Sequence, residues 1–145
     1  MTVPAPAPPP PPIPKIAIGA VVIDDSASGD RRILLVRRAQ PPMQGRWSLP
    51  GGKLEFGERI EDGLRREVRE ESGLEVEVGS LIEVVEALDP PYHYVILDYV
   101  CRRTGGELRA GDDASDVVFV RPDECGRYEV TEAVLRVVAK ALKMC

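Results

Sequence analysis

The sequence predicts an α+β domain in which a mixed β-sheet lies between helices. Segments with strand character outnumber helical segments by five to two, and the two helical segments lie far apart in the chain. Elements of both kinds that are separated in this way favour a layered α+β domain. The chain has 145 residues and no internal repeat, so it predicts one domain with one core.

Residues 1–14 differ in composition from the rest of the chain. They contain eight prolines, including an unbroken run from Pro8 to Pro12. Such a segment favours polyproline II or disorder rather than a packed core. We therefore expect a flexible proline-rich tail at 1–14 and a folded domain at 15–145. An inert extension is favoured over a ligand for a proline-binding module, because no specificity residues flank the run.

Five segments are expected to be strands, because they are rich in β-branched and apolar residues. They are residues 15–23, 33–36, 76–88 with a break at Gly79, 92–102 and 117–120. Residues 40–48 contain two prolines and Gly45, which predicts a loop. Residues 104–116 are polar and are also expected to be a loop.

Two segments have helical periodicity. The first covers residues 59–72, with an apolar stripe at Ile60, Leu64 and Val68, and Gly73 is expected to end it in the left-handed conformation. The second follows Thr131, which is a favourable N-cap residue. Its apolar stripe is predicted to consist of Val134, Leu135, Val138 and Leu142.

Composition excludes several classes of protein. No apolar run is long enough to cross a membrane, and the N-terminus lacks the basic and apolar regions of a secretory signal. Cys101, Cys125 and Cys145 are an odd number at unrelated spacings, which favours reduced thiols and a cytoplasmic location. The net charge of −5 disfavours a nucleic acid polymer as partner, but it permits a small phosphate ligand bridged by metal ions.

Residues 52–74 contain a spaced pattern of glycines and acids around the first helix. The pattern is G-x5-E-x7-R-E-U-x-E-E-x-G-U, where U is aliphatic. Its nine fixed positions are Gly52, Glu58, Arg66, Glu67, Val68, Glu70, Glu71, Gly73 and Leu74.

The carboxylates of this pattern crowd one side of the helix near its end. Glu67, Glu70 and Glu71 share an arc of about 100° on the helical wheel. Like charges at these spacings repel, and the carbonyl end of a helix disfavours anions further. Hard oxygen ligands in such a cluster suit Mg²⁺ or Mn²⁺. A solvated face of arginine and glutamate is the alternative, but it does not account for the glycines or for Glu58.

With these residues, the segment is identified as a Nudix box, and the chain resembles the Nudix hydrolases from about residue 14 to its C-terminus. The resemblance implies an α/β/α sandwich with a mixed sheet between helices. It also implies that the box forms a loop–helix–loop that binds divalent metal, Mg²⁺ or Mn²⁺. The reaction implied is hydrolysis of the pyrophosphate bond in a nucleoside diphosphate derivative.

The resemblance assigns roles to residues of the box. The metal ligands would be Glu67, Glu70, Glu71 and the carbonyl group of Gly52. Glu58 would bind metal indirectly or hold the loop onto the start of the helix. Arg66 would orient a carboxylate of the cluster.

The general base is left open by the resemblance, because some Nudix enzymes use a box glutamate and others use an acid from a distant loop. The distant candidates here are Asp112, Asp113 and Asp116. Related enzymes often carry an acid two positions after a glycine in this loop. Gly111 therefore favours Asp113 as a catalytic residue, and an ordinary acidic turn is the alternative.

Substrate binding is expected to involve Gly51, Gly52 and the basic pair Arg37 and Arg38. Of the two arginines, Arg38 is favoured for a substrate phosphate, and a solvated strand end is the alternative. The remaining candidates for ligand contact are expected to pack in the fold instead, and they are Trp47, His93 and Phe119.

The box indicates the bond that is cleaved and leaves the substrate open. The stretch from Tyr92 to Val120 resembles bacterial ADP-ribose pyrophosphatases, so ADP-ribose, cleaved to AMP and ribose 5-phosphate, is the leading substrate. A (d)NTP pyrophosphohydrolase that cleans the nucleotide pool is the alternative, and a non-catalytic nucleotide sensor is a third hypothesis. The expected partner is a small nucleotide, with neither nucleic acid nor membrane, and a homodimer stays open.

Overall fold

A computed structural model of the chain describes residues 2–25, 29–41, 43–111 and 113–145. It contains seven strands, two α-helices and one 3₁₀ helix. In chain order these are β1 Lys15–Asp24, β2 Arg32–Arg38, β3 Trp47–Ser48, β4 Gly51–Lys53, α1 Ile60–Ser72, β5 Leu74–Asp89, β6 Tyr92–Gly106, β7 Ala114–Val120, the 3₁₀ helix Pro122–Tyr128 and α2 Glu132–Met144.

The strands form one mixed sheet. Its main order is β3-β2-β1-β6-β5, with β4 paired to β1 and β7 paired to β2. The pair β1–β6 is parallel, from Lys15 opposite Tyr94 to Ile23 opposite Arg102, and the other pairs are antiparallel. Strand β1 therefore pairs with three strands and organises the centre of the fold.

Each face of the sheet carries one helix. Because side chains alternate along a strand, Ile18 and Val22 of β1 pack with Leu64 and Val68 of α1, whereas Val21 packs with α2. We call the face of the sheet that contacts α1 the α1 face and the opposite face the α2 face. The two apolar clusters enclose the sheet from both sides, which confirms the predicted α/β/α sandwich.

Helix α1 matches its prediction to within one residue. It begins at Ile60 after Arg59 and ends at Gly73, whose φ of 75° is left-handed and whose N–H donates to the carbonyl of Arg69. Glycine adopts this conformation without the penalty that a Cβ would impose.

The predicted apolar stripe of α2 was partly wrong. Thr131 caps the helix as predicted, since its hydroxyl accepts a 3.2 Å hydrogen bond from the amide of Val134. Leu135, however, is 39% exposed, and the buried positions are Val137, Val138 and Ala141. Ala141 lies four positions after Val137 and three after Val138, so these residues share the helix face that contacts the sheet.

Several boundaries differ from the sequence-based expectation. The segment predicted as the loop 40–48 ends in β3, and β4 follows it; both are short and exist because β2 and β1 pair with them. Gly79 lies within a register shift of β5 rather than at a break. Strand β6 continues to Gly106, which shortens the predicted loop 104–116.

The proline-rich segment has no secondary structure over residues 2–14, and its side chains are exposed. The boundary between a tail and a folded domain remains a prediction. Over the described ranges, neither α-helix combines the length and the apolar character that crossing a membrane requires.

Candidate metal and pyrophosphate site

The last turns of α1 lie against β4. The amide of Gly51 donates a 3.2 Å hydrogen bond to Oε1 of Glu71. A Cβ at Gly52 would lie 2.5 Å from Oε1 of Glu67, so the glycine leaves the space that this carboxylate occupies. Glu67 and Glu71 are both buried. Gly51 and Gly52 lie in β4, and α1 follows β4 in the chain. Two buried carboxylates of α1 therefore lie at one edge of β4.

Arg66 connects the loop before α1 to the acids of the helix. Its guanidinium donates to both oxygens of Glu58, at 2.6 and 2.9 Å, and to Glu67 at 2.9 Å. It also donates to Glu70 at 3.3 Å. Hydrogen bonding to Arg66 lowers the pKa of Glu58. Of the two roles considered for Glu58, the geometry fits the holding of the loop onto the helix start.

The environment of Glu71 favours its protonated form. Burial, followed by the hydrogen bond and the charge of Glu67, raises the pKa of Glu71 to about 9, although the amide of Gly51 and the charge of Arg38 oppose the rise. Two carboxyl groups that meet away from water cannot both ionise without a compensating cation. Arg66 compensates the charge of Glu67, and burial beside Glu67 favours a protonated carboxyl group at Glu71.

The three helix glutamates do not converge as the sequence suggested. Glu70 is directed toward solvent, with 54% of its side chain exposed, and Arg66 bridges it to Glu67. Within the described ranges, no three histidine, cysteine or acidic side chains are gathered in a metal-holding group. Arg66 thus compensates part of the negative charge of the glutamates, which the helical wheel had suggested a metal ion would compensate.

The donor set nevertheless fits a divalent cation. Glu67 and Glu71 are hard oxygen donors, and a proton on Glu71 is one that a cation can displace. Gly52 lets the backbone approach the same position without a side chain in the way. Glu70 lies one residue before Glu71, with an exposed side chain that pairs with Arg66.

The loop that follows β6 is fastened to the end of α1. The amides of Arg109 and Gly111 donate to the carbonyls of Ser72 and Glu71, at 2.9 and 3.0 Å, which are free because the helix ends there. The carbonyl of Asp113 accepts a 3.1 Å bond from the amide of Ala39. These bonds hold Asp113, which is exposed, beside the end of α1.

Of the other two acids in the predicted loop 104–116, Asp116 lies in β7, which begins at Ala114 and shortens that loop. Asp112 lies outside the described residues. Asp116 pairs with Arg37 at 3.8 Å, on the strand position directly opposite it.

Arg37 and Arg38 point to opposite faces of the sheet. The charge of Arg38 acts on Glu71, so Arg38 lies on the side of the glutamates. Arg37 donates to the carbonyl of Gly45 at 3.0 Å and lines a cavity of about 250 Å³ with Arg46, Trp47, Arg127 and Tyr128. The role of Arg38 as the phosphate contact stays a prediction.

The remaining sequence candidates pack as expected. Trp47 meets Tyr128 edge-on with ring centroids 5.2 Å apart, and Phe119 lies beneath Arg103 at 5.5 Å. His93 is half-buried in β6 opposite Leu88.

Asp98 was not singled out from the sequence, although it is a buried acid in the middle of β6. The available signal was a lone charged residue within the apolar run from Tyr94 to Cys101. Burial and the charge of Glu83 raise the pKa of Asp98 to about 6.

Comparison with known proteins agrees with this geometry. The model of the NUDIX domain family matches residues 13–140. The chain belongs to the NUDIX family. As a NUDIX hydrolase domain it shares 28% sequence identity with a MutT NUDIX hydrolase from Burkholderia pseudomallei, whose crystal structure superimposes with a TM-score of 0.76 over 89% of this chain and 98% of that one. NUDIX hydrolases generally use divalent metal ions.

Two NUDIX relatives carry names that describe a substrate. An ADP-ribose pyrophosphatase of Methanocaldococcus jannaschii is 40% identical over 102 residues, which cover 69% of this chain and 60% of that protein. The human 8-oxo-dGDP phosphatase NUDT18 is 37% identical over 94 residues, which cover 65% of this chain and 28% of that protein. The chain therefore spans about three fifths of the archaeal relative and less than a third of the human one.

Proposed function

We propose that this NUDIX domain hydrolyses the pyrophosphate bond of a nucleoside diphosphate derivative in the presence of Mg²⁺ or Mn²⁺. The leading substrate is ADP-ribose, which would give AMP and ribose 5-phosphate. The observation that carries the proposal is the buried pair Glu67 and Glu71, fastened to β4 through the amide of Gly51.

Glu67, Glu71, the exposed Glu70 and the carbonyl of Gly52 are the groups that would hold the cation. A divalent cation there would neutralise the non-bridging oxygens of the pyrophosphate. Arg66 keeps the acids in place through Glu58 and Glu67, at 2.6 and 2.9 Å. The protein, rather than the substrate, therefore orients these metal ligands.

The residues around the glutamates account for the remaining requirements of hydrolysis. Arg38, on the glutamate side of β2, would contact a substrate phosphate. Asp113 is proposed as the base that accepts a proton from the attacking water, because its loop is anchored to the end of α1. Water attacks one phosphorus atom, and the bond from that atom to the bridging oxygen breaks. One phosphate product gains the oxygen of water, and the other keeps the bridging oxygen.

ADP-ribose is favoured because the archaeal ADP-ribose pyrophosphatase is 40% identical to this chain. The likeness to NUDT18 favours a second candidate, an oxidised or ordinary purine nucleoside di- or triphosphate. A cytoplasmic location belongs to the proposal, since Cys101, Cys125 and Cys145 are free thiols.

A substrate panel tests the proposal. The protein is incubated with Mg²⁺ or Mn²⁺ and ADP-ribose, NADH, dinucleoside polyphosphates, 8-oxo-dGDP or (d)NTPs, and the products are identified. AMP with ribose 5-phosphate supports the leading substrate. Pyrophosphate from a triphosphate, or phosphate from 8-oxo-dGDP, would replace it with the second candidate. Tight nucleotide binding without turnover would replace the enzyme with a sensor.

A further inference from the structure

Asp98 in β6 is an almost buried acid without a hydrogen-bond donor. Its residue exposure is 6%, and among the described residues none donates to its carboxylate. Every fully buried polar side-chain atom in the described part of the chain has a partner, so the oxygens of Asp98 must keep a narrow contact with solvent. Oδ1 lies directly over Gly19, in the space that a Cβ at that position would fill.

The cations near Asp98 are engaged elsewhere. Glu83 lies opposite Asp98 in β5 and receives Arg136 at 2.6 Å and Lys140 at 3.5 Å from α2. Burying a carboxylate without a partner costs several kcal/mol in general, and the sheet would accept an apolar residue at this position. No contact of Asp98 within the described fold repays that cost.

Asp98 lies in line with the proposed catalytic edge. Gly51, Gly19 and Asp98 are direct neighbours on three adjacent strands, β4, β1 and β6. Two strand spacings amount to about 10 Å. Neither Gly19 nor Gly51 carries a side chain, so no side chain separates Asp98 from the Gly51–Glu71 hydrogen bond along this row, and the distance is within the reach of one extended nucleotide.

Asp98 lies beside the part of β6 that packs with the α2 cluster. Val100, the next residue on the same face of β6, packs with the α2 cluster. In the other direction Ile96 and Tyr94 are half-buried, and Tyr92 is exposed. The rings of Tyr92 and Tyr94 are stacked, with centroids 6.3 Å apart and an interplanar angle of 13°. Ile96 is the neighbour of Asp98 on this face, whereas the tyrosines lie about 13 and 20 Å further along the strand. An apolar side chain beside a polar acceptor is a composition that suits a nucleobase.

We infer that Asp98 determines base specificity by accepting a hydrogen bond from the exocyclic amino group of a purine. The inference rests on the proposed function, because it places the pyrophosphate of the same nucleotide at Glu67 and Glu71. A carboxylate accepts from an amino group and is left unpaired by a keto group, so adenine is favoured over hypoxanthine. Asp98 is thereby a specificity residue rather than a member of the metal site.

The test compares substrates that differ only in this group. The values of kcat and KM are measured for ADP-ribose and for its hypoxanthine counterpart, and in parallel for ATP and ITP. The wild-type protein should prefer the amino form about 10- to 100-fold in kcat/KM, since a hydrogen bond to a charged group has that worth. Asp98→Asn should bring this ratio close to one, through KM for the amino substrate and with kcat little changed.

Glu86→Gln is the matched control, because Glu86 is an exposed acid of β5 opposite Val95 and points to the other face. It should keep the wild-type ratio. Binding of AMP and IMP by calorimetry gives a second readout that does not require turnover. Thermal melts of both variants establish that they are folded.

The outcomes separate the two proposals. Turnover of ADP-ribose with an unchanged preference in Asp98→Asn would overturn the role of Asp98 and leave the proposed function intact. Absence of turnover on every substrate would remove the proposed function, and AMP binding that Asp98→Asn weakens relative to IMP would still support Asp98. Equal binding of AMP and IMP by the wild-type protein would overturn the inference.

Discussion

The amide of Gly51 donates a 3.2 Å hydrogen bond to Oε1 of Glu71. The two residues lie on different elements, so this bond ties the last turn of α1 to β4. It also fixes a carboxyl group in a buried position next to Glu67. Burial beside Glu67 favours the protonated form of Glu71, whereas a bound metal ion would require the ionised form, so a proton and a metal ion would compete for Glu71.

This competition predicts that metal binding releases protons. The pKa of Glu71 is raised from 4.5 to about 9 by burial and by Glu67, so Glu71 is protonated at pH 7 without metal. A bound cation requires the ionised form, and its affinity should rise with pH until about pH 9. Calorimetric titration of Mg²⁺ in buffers with different ionisation enthalpies measures the protons released. Identical heats in all buffers would contradict the prediction, and Glu71→Gln should abolish the release.

Glu70→Gln should lower kcat by orders of magnitude and leave the melting temperature nearly unchanged. Just over half of the Glu70 side chain is exposed, so its removal costs little stability, while the proposed metal site loses a donor. The control is Glu61→Gln, which removes an exposed acid at the other end of α1. If Glu70→Gln keeps near-wild-type turnover, Glu70 does not belong to the metal site.

Arg66→Gln should destabilise the fold by about 2–3 kcal/mol. It removes charged hydrogen bonds to Glu58 and Glu67, whose side chains are only 13% and 12% exposed and would be left with uncompensated charge. Arg65→Gln is the matched control on the neighbouring residue, because Arg65 pairs at 3.7 Å with the exposed acids Glu61 and Asp62. Urea unfolding of both variants measures the difference, and equal midpoints would show that the Arg66 network is not stabilising.

Gly111→Ala should reduce turnover about tenfold or more. A Cβ at this position would overlap the carbonyl oxygen of Glu70, so the loop that carries Asp113 must move away from α1. Gly126→Ala is the control, since its Cβ would enter open space. Activity and melting temperature are compared for both variants. A fully active Gly111→Ala protein would disconnect this loop from catalysis.

Asp98→Asn should stabilise the protein at pH 8 and have little effect near pH 4. The pKa of Asp98 is raised from 3.8 to about 6 by burial and by Glu83, which faces it together with Arg136 and Lys140. The folded state binds the proton more tightly, so wild-type stability falls as pH rises from about 4 through 6, by about 3 kcal/mol at most. Melting curves across this range test the prediction. A variant that is less stable than wild type at pH 8 would show that the charged form is stabilised.

Local signals in the sequence were sufficient for the helices and most of the sheet. Gly73 and Thr131 mark helix boundaries through backbone conformation and capping, and both effects act within a few residues. Strands β3 and β4 have two and three residues, and they are strands because β2 and β1 lie beside them. The 3₁₀ helix Pro122–Tyr128 was missed for a similar reason, since it packs through Cys125 against α2.

The residues that form the site were predictable from the sequence, but the pairing of their charges was not. The spacing of the box brings Glu67 and Glu71 next to Gly51 and Gly52, but a helical wheel cannot show that Arg66 turns back to Glu58. Asp98 could not be ranked from the sequence, because an acid in a strand is ordinarily exposed. Its burial arises from the pairing with Gly19, 79 positions earlier in the chain.

The parallel pairing of β1 with β6 also bears on how the chain reaches its fold. Lys15 pairs with Tyr94, and Ile23 pairs with Arg102. Strand β1 can therefore form this pairing only after β6 has been synthesised. Until then β1 has only its short pairings with β2 and β4, whereas the hairpin of β5 and β6 assembles from neighbouring residues. Contacts so distant in sequence are slow to form. During that interval β1 is an apolar strand without its main partner, and exposed strands of this kind are prone to aggregate.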